Sequence, residues 1–238
     1  MRFAAIYFDC DSTLTAIEGI DELVTDAAPA VRAEIAALTA AAMAGELPLA
    51  QVYERRLALL APRREQVARL ADLYRQHAVP DAGEVIAALH HLGKHTGILS
   101  GGIFEPVSRF ARWLGISGQN VHAVPVAFTA DGAYDGFQRA SPLWRNGGKV
   151  EALRALPADH HPLAFVGDGI TDAELRGHVA RFVGFGGVVA RPRVRELADV
   201  YVAEPRLAAV LPHVLAADEL AALAAVPRFA PLLSAPRG

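Results

Sequence analysis

Two aspartates one residue apart, in Asp9-Cys10-Asp11-Ser12-Thr13, close an apolar run near the start of this 238-residue chain. Side chains alternate along a strand, so Asp9 and Asp11 can face one way and Cys10 the other. Adjacent carboxylates repel unless a cation or a proton sits between them. In open α/β sheets, the carboxyl ends of strands are where ligands bind. The same pentapeptide also suits two turn-forming or capping aspartates, and Cys10 suits a small packing residue.

Three further segments carry side chains of complementary chemistry. Ser100-Gly101-Gly102 follows the apolar run Thr96–Leu99 and precedes a helical pattern, Ile103–Leu114. Glycines there let backbone N–H groups approach an anion at a helix start, and Ser100 adds a hydroxyl. Taken alone, Ser-Gly-Gly is also an ordinary loop. Lys149, after Gly147-Gly148, opens a helix where its charge could neutralise a phosphate or simply be solvated. Asp168 and Asp172, in Gly167-Asp168-Gly169-Ile170-Thr171-Asp172, follow the apolar run Leu163–Val166. Hard cations such as Mg²⁺ take carboxylate and water oxygens. A glycine turn with Asp172 near a helix N-terminus is the plainer reading of that segment.

The elements around these segments read as α/β. Buried strands are expected at Phe3–Phe8, Thr96–Leu99, Leu163–Val166, Arg181–Gly184 and Val200–Val202, with helices such as Asp81–Leu92 and Phe104–Leu114 between them. That alternation predicts a Rossmann-like parallel sheet with helices on both faces, its strands apolar throughout because both sides are covered. Residues from Glu18 to about Val79 interrupt it with helices at Asp21–Met43, Leu49–Leu60 and Arg63–His77, Pro48 and Pro62 lying near the starts of the last two. The expected division is an α/β core of residues 1–15 and 80–238 and a helical cap of residues 16–79. Val121–Phe137, with Asp131-Gly132 as its turn, predicts a β-hairpin. The Ala- and Leu-rich tail after Leu207 reads as helical, and Pro227–Gly238 as frayed.

Composition limits the function classes. Hydrophobic residues are 53 % of the chain, which supports a globular fold, and a net charge of −3 argues against a nucleic-acid footprint. One cysteine allows no internal disulfide and suits a reducing compartment. The N-terminal apolar run stops at Asp9, too short to span a membrane and without signal-peptide flanks. The expected setting is the cytoplasm, away from membranes.

The ordered set Asp-x-Asp-Ser-Thr, Ser-Gly-Gly, Lys and Gly-Asp-Gly-x-Thr-Asp is far more specific than its parts. It resembles the haloacid-dehalogenase superfamily of aspartate-nucleophile phosphatases. That resemblance implies Asp9 as nucleophile, forming a phosphoaspartate, and Asp11 as general acid/base. Ser100, Gly101, Gly102 and Lys149 would bind the phosphoryl group. Mg²⁺ would be held by Asp9, Asp168 and the Asp11 backbone carbonyl, and by Asp172 through water. Ile17-Glu18-Gly19-Ile20-Asp21-Glu22-Leu23, Met43-Ala44-Gly45, Arg56-Leu57 and Phe185-Gly186-Gly187 narrow the resemblance to the phosphoserine phosphatases, from about residue 5 to 205. It implies that Glu18 faces a substrate amino group, Arg56 its carboxylate, Met43 closes over it, and Thr171 lies near the phosphoseryl group, in an enzyme of serine biosynthesis acting as a monomer or homodimer. Arg56 as a surface charge and Glu18 as a helix cap are the plainer alternatives. Ser141–Asn146 is bulkier than the family pattern, with Trp144 at a point where it could reshape the rim. Pro48 and Leu49 also depart from that pattern. Another small phosphomonoester, phosphoryl transfer to an alcohol, or a silent ligand-binding module remain as alternative functions.

Overall fold

The computed structural model describes residues 1–43 and 47–234, with the side chains of residues 42 and 43 also outside the description. Its centre is a six-stranded parallel sheet. In chain order the elements are β1 (Ala5–Phe8), α1 (Gly19–Thr25), α2 (Pro29–Met43), α3 (Leu49–Leu60), α4 (Arg64–Gln76), α5 (Ala82–His91), β2 (His95–Ile103) and α6 (Phe104–Leu114). Then come β3 (Val121–Val124), β4 (Val126–Phe128), β5 (Tyr134–Phe137), α7 (Gly148–Leu153), β6 (Leu163–Gly167), α8 (Ile170–Ala173), β7 (Arg181–Phe185), α9 (Pro192–Leu197), β8 (Val200–Val202), α10 (Leu211–Val214) and α11 (Ala217–Ala224). The strand order is β3-β2-β1-β6-β7-β8, so the direction of winding reverses at β1 and β6, and the crevice above their carboxyl ends is the natural ligand position.

Alternation along β1 divides the core. Ile6 and Phe8 enter an apolar layer with Val85, Leu89 and Phe110, while Ala5 and Tyr7 enter the opposite layer with Leu99 and Phe165. Both faces are therefore covered, which is why β1 is apolar at every position. On α6, Val107, Phe110, Ala111 and Leu114 fall at helical spacing and are all buried.

Several expectations need correction. The first helix of the insertion is two helices, because the chain turns at Asp26–Ala28 and restarts at Pro29, whose fixed φ suits a first turn and not a helix interior. Val121–Val124 is the sheet's outer strand, parallel to β2, and only β4 and β5 form the hairpin. Pro125, lacking an N–H, separates the two. Ser100–Gly102 lies inside β2, whose register against β3 shifts between Leu99 and Ile103, and α6 begins only at Phe104. The described part of the tail is packed, with Leu223, Phe229 and Leu232 buried in the first apolar layer, and residues 235–238 of the stretch expected to fray lie outside the described residues. The hairpin leans on the helical insertion through Arg63 Nη2 donating to Asp131 O at 2.6 Å and the ring of Phe137 against Tyr53. Among the described residues, no helix is long and apolar enough to cross a membrane.

Candidate active site

Asp9 follows β1 directly, and its N–H donates to Val166 O at 2.9 Å, extending the β1–β6 pairing by one residue. Its Oδ1 accepts from Cys10 N–H at 2.7 Å and lies 3.0 Å from Lys149 Nζ. The chain then coils tightly: Cys10 O accepts from Leu14 N–H at 2.8 Å, and Ser12 takes φ 52°, a left-handed conformation costly for a serine. Ser12 Oγ donating to Glu18 at 2.7 Å and Thr13 Oγ1 donating to Asp168 at 3.0 Å tie the coil to its surroundings. Cys10 is buried in the apolar layer.

Asp11 Oδ2 accepts from Gly19 N–H at 3.3 Å, while its Oδ1 is buried without a partner. Burial first, then the charges of Glu18 and Asp9, hold this carboxyl well above the usual carboxylate range, outweighing the opposing pull of Tyr74 and the Gly19 N–H. A carboxyl that keeps its proton there is equipped to give it to a leaving group.

Lys149 is 3 % exposed, so it is no surface lysine. It enters the site because α7 approaches the Pro142–Trp144 turn closely: a Cβ on Gly148 would fall 1.9 Å from Pro142 O. Burial alone would lower its pKa, but Asp172 and Asp9 outweigh that and raise it, so the ammonium stays charged. Asp172 is fully buried, ion-paired with Lys149, and accepts from Gly169 N–H at 2.8 Å through Oδ2. Its carboxylate folds back over Gly167, where any Cβ would meet it at 2.4 Å. Asp168 directly follows β6 and accepts from Arg191 Nε at 3.1 Å. Burial and the Asp9 charge push it up to about 6 against the pull of Arg191. Burial, Asp9 and Asp168 likewise raise Asp172 despite Lys149.

Asp9, Asp168 and Asp172 offer carboxylate oxygens that all lie within 4.8 Å of one another. Two of the three are buried, and burial first, then repulsion from the neighbouring carboxylates, raises their pKa values against the pull of Lys149 and Arg191. An all-oxygen, carboxylate-rich donor set of this kind fits a hard divalent cation.

A cavity of about 290 Å³ opens above these groups, near the lower end of small-molecule sites. Asp9, Asp11, Ser100, Gly101, Gly102, Lys149, Asp168 and Thr171 line it from the sheet side, and Glu18 and Arg56 from the helical insertion. Asp172 lies behind Lys149. Met43 closes α2, and its side chain lies outside the described residues, as do residues 44–46. Ser100 Oγ accepts from Gly102 N–H at 3.0 Å. Arg56 pairs with Asp21 across the insertion, and Glu18 lies 3.6 Å from Arg191. Burial and Asp9 raise the Glu18 pKa, with Ser12 and Arg191 opposing. Trp144 and Leu49 also reach the wall.

Thr13, Arg191, Tyr53 and Tyr74 join the site without having been singled out as site residues. Thr13 sits inside the aspartate motif and was readable there. Arg191 stands far along the chain from every partner, and the two tyrosines look like core positions of amphipathic helices.

Residues 6–175 match the haloacid dehalogenase-like hydrolase family, and the chain belongs to it. Within that class it is 36 % identical over 202 residues to phosphoserine phosphatase of Mus musculus, covering 84 % of this chain and 89 % of that protein. The Homo sapiens phosphoserine phosphatase is 35 % identical over the same shares. A solved phospho-aspartyl intermediate analogue of phosphoserine phosphatase superposes with TM-score 0.70 at 25 % identity, covering 90 % of this chain and 100 % of that one. A phosphoserine phosphohydrolase-like protein from Francisella tularensis shares the fold, with TM-score 0.73 at 24 % identity over 94 % and 99 % of the two chains.

Proposed function

We propose that this chain hydrolyses O-phosphoserine to serine and phosphate through a phosphoaspartate on Asp9. The observation that carries the reading is one small cavity holding a nucleophilic carboxylate, a buried lysine and a carboxylate cluster on one side, and an acid and a guanidinium from the helical insertion on the other. The kinship with phosphoserine phosphatases supports the same substrate.

In this reading Asp9 attacks phosphorus, and Asp11 protonates the departing serine alkoxide. Asp11 then takes a proton from the water that hydrolyses the acyl phosphate. Lys149, Ser100 and the backbone N–H groups of Gly101 and Gly102 bind the phosphoryl oxygens. Asp9, Asp168 and the Asp11 carbonyl would hold Mg²⁺, and Asp172 would reach it through water. That ion, when bound, offsets the repulsion between the nucleophile and the phosphate dianion. Glu18 takes the substrate ammonium and Arg56 its carboxylate, with Thr171 beside the phosphoseryl group. Residues 16–79 act as a cap over a core of residues 1–15 and 80–238, excluding bulk water. The enzyme works in the cytoplasm as a monomer or homodimer.

The test is phosphate release from phosphoserine, phosphothreonine, phosphoethanolamine and sugar phosphates, with Mg²⁺ or with EDTA. Phosphoserine should lead in kcat/KM, and EDTA should abolish release until Mg²⁺ is restored. Release unaffected by EDTA would remove the cation from the reading, and another phosphomonoester in the lead would replace the substrate.

A further inference from the structure

Tyr53 and Arg56 lie three residues apart on α3, so they share a helix face, and both reach the cavity wall. The Tyr53 hydroxyl and Arg56 Nε are both buried, and neither has a hydrogen-bond partner. Buried polar groups are nearly always paired, so two orphans on one face call for an explanation. Packing accounts only for the rest of each side chain. The Tyr53 ring stands edge-on to Phe137 with centroids 5.5 Å apart, and the far end of Arg56 pairs with Asp21. The other two buried orphans among the described residues, Asp11 Oδ1 and Tyr74 Oη, are neighbours of each other.

Both orphans on α3 donate. A guanidinium has no acceptor, and burial together with the nearby Tyr134 and Asp11 keeps the Tyr53 phenol protonated. Arg56 Nε can only donate, so a partner that serves both groups is an acceptor, and beside a guanidinium it is an anionic one. The phosphoryl end of the substrate belongs to Lys149 and Ser100, and its ammonium is drawn to Glu18. Only the α-carboxylate remains to meet this face.

We propose that Tyr53 is a further specificity-determining residue, its hydroxyl donating with Arg56 to the carboxylate of the substrate's amino-acid end. This rests on the phosphoserine reading above. It follows that a substrate without that carboxylate leaves two buried donors unpaired, which is how a polar site rejects an analogue lacking one group.

The experiment compares wild type with Tyr53→Phe on phosphoserine and on phosphoethanolamine, which has the ammonium and no carboxylate. The ratio of kcat/KM for the two substrates should fall roughly tenfold in the variant, mostly through the KM for phosphoserine. The ring and its packing on Phe137 are kept, so the melting temperature should match or exceed wild type. A ratio left intact in Tyr53→Phe, or an equal loss on both substrates, overturns the role of Tyr53 alone. Wild type without preference for phosphoserine overturns the substrate reading, and the Tyr53 role with it.

Discussion

Asp9 and Asp11 have the same side chain and opposite surroundings. Asp9 meets an ammonium at 3.0 Å, whereas Asp11 has one oxygen buried without a partner and a carboxylate neighbour in Glu18. The ammonium beside Asp9 suits the nucleophile role proposed for it, and burial with the neighbouring carboxylates pushes Asp11 toward its neutral acid form. Asp9→Asn should therefore cost at least roughly a thousandfold in kcat, about 4 kcal/mol of barrier, while far-ultraviolet circular dichroism and the melting curve stay near wild type. Activity within roughly tenfold of wild type would end the nucleophile assignment. The aspartate pair was legible in the sequence because its spacing is local. Arg191 and Tyr53 were not: each owes its place in the site to a long-range approach, and a tyrosine on an amphipathic helix face looks the same whether its hydroxyl is buried or aimed at a ligand.

At the scale of elements, turns decide where the chemistry sits. Asp9 and Asp168 occupy the first positions past β1 and β6, adjacent strands at the point where the winding reverses, so the fold alone brings two distant acids together. Lys149 needs more, since α7 must press its first turn against the Pro142–Trp144 turn. Gly148→Ala would set a methyl 1.9 Å from a backbone oxygen, a contact that backbone must relieve by moving. The expected result is a loss of about 1–3 kcal/mol in a denaturant melt, together with a drop in kcat as Lys149 shifts from Asp9. A variant with wild-type stability would show that α7 can slide without cost. Such contacts explain what the sequence left unread. The break before Pro29 and the extension of β2 through Ser100-Gly101-Gly102 depend on which neighbours are packed there. The strands expected at Leu163–Val166, Arg181–Gly184 and Val200–Val202 were legible to within a residue, whereas β1 starts at Ala5, two residues later than the apolar run suggests.

Across the whole molecule, the C-terminal tail completes one of the two apolar layers although it lies beyond residues 6–175, the part matched to the family. Two attachments seat it. Leu207 N–H donates to Pro80 O at 2.9 Å, and Arg206 donates to Asp81 at 2.6 Å and to Ser234 O at 3.0 Å. Pro80 and Asp81 lie where the chain returns from the helical insertion, so the tail braces the element that leads into α5. Leu223 on α11 is fully buried in that layer. Leu223→Ala should cost roughly 3 kcal/mol, the lower-middle of the range for emptying a leucine site, and lower the melting temperature by roughly 6–12 °C for a domain of this size. The site lies past the carboxyl end of β1, whereas α11 pairs with Arg2 and Lys94 near the amino ends of β1 and β2, so kcat at 25 °C should hold. A melting temperature within roughly 2 °C of wild type would mean that the tail unfolds independently and adds nothing to the cooperative core.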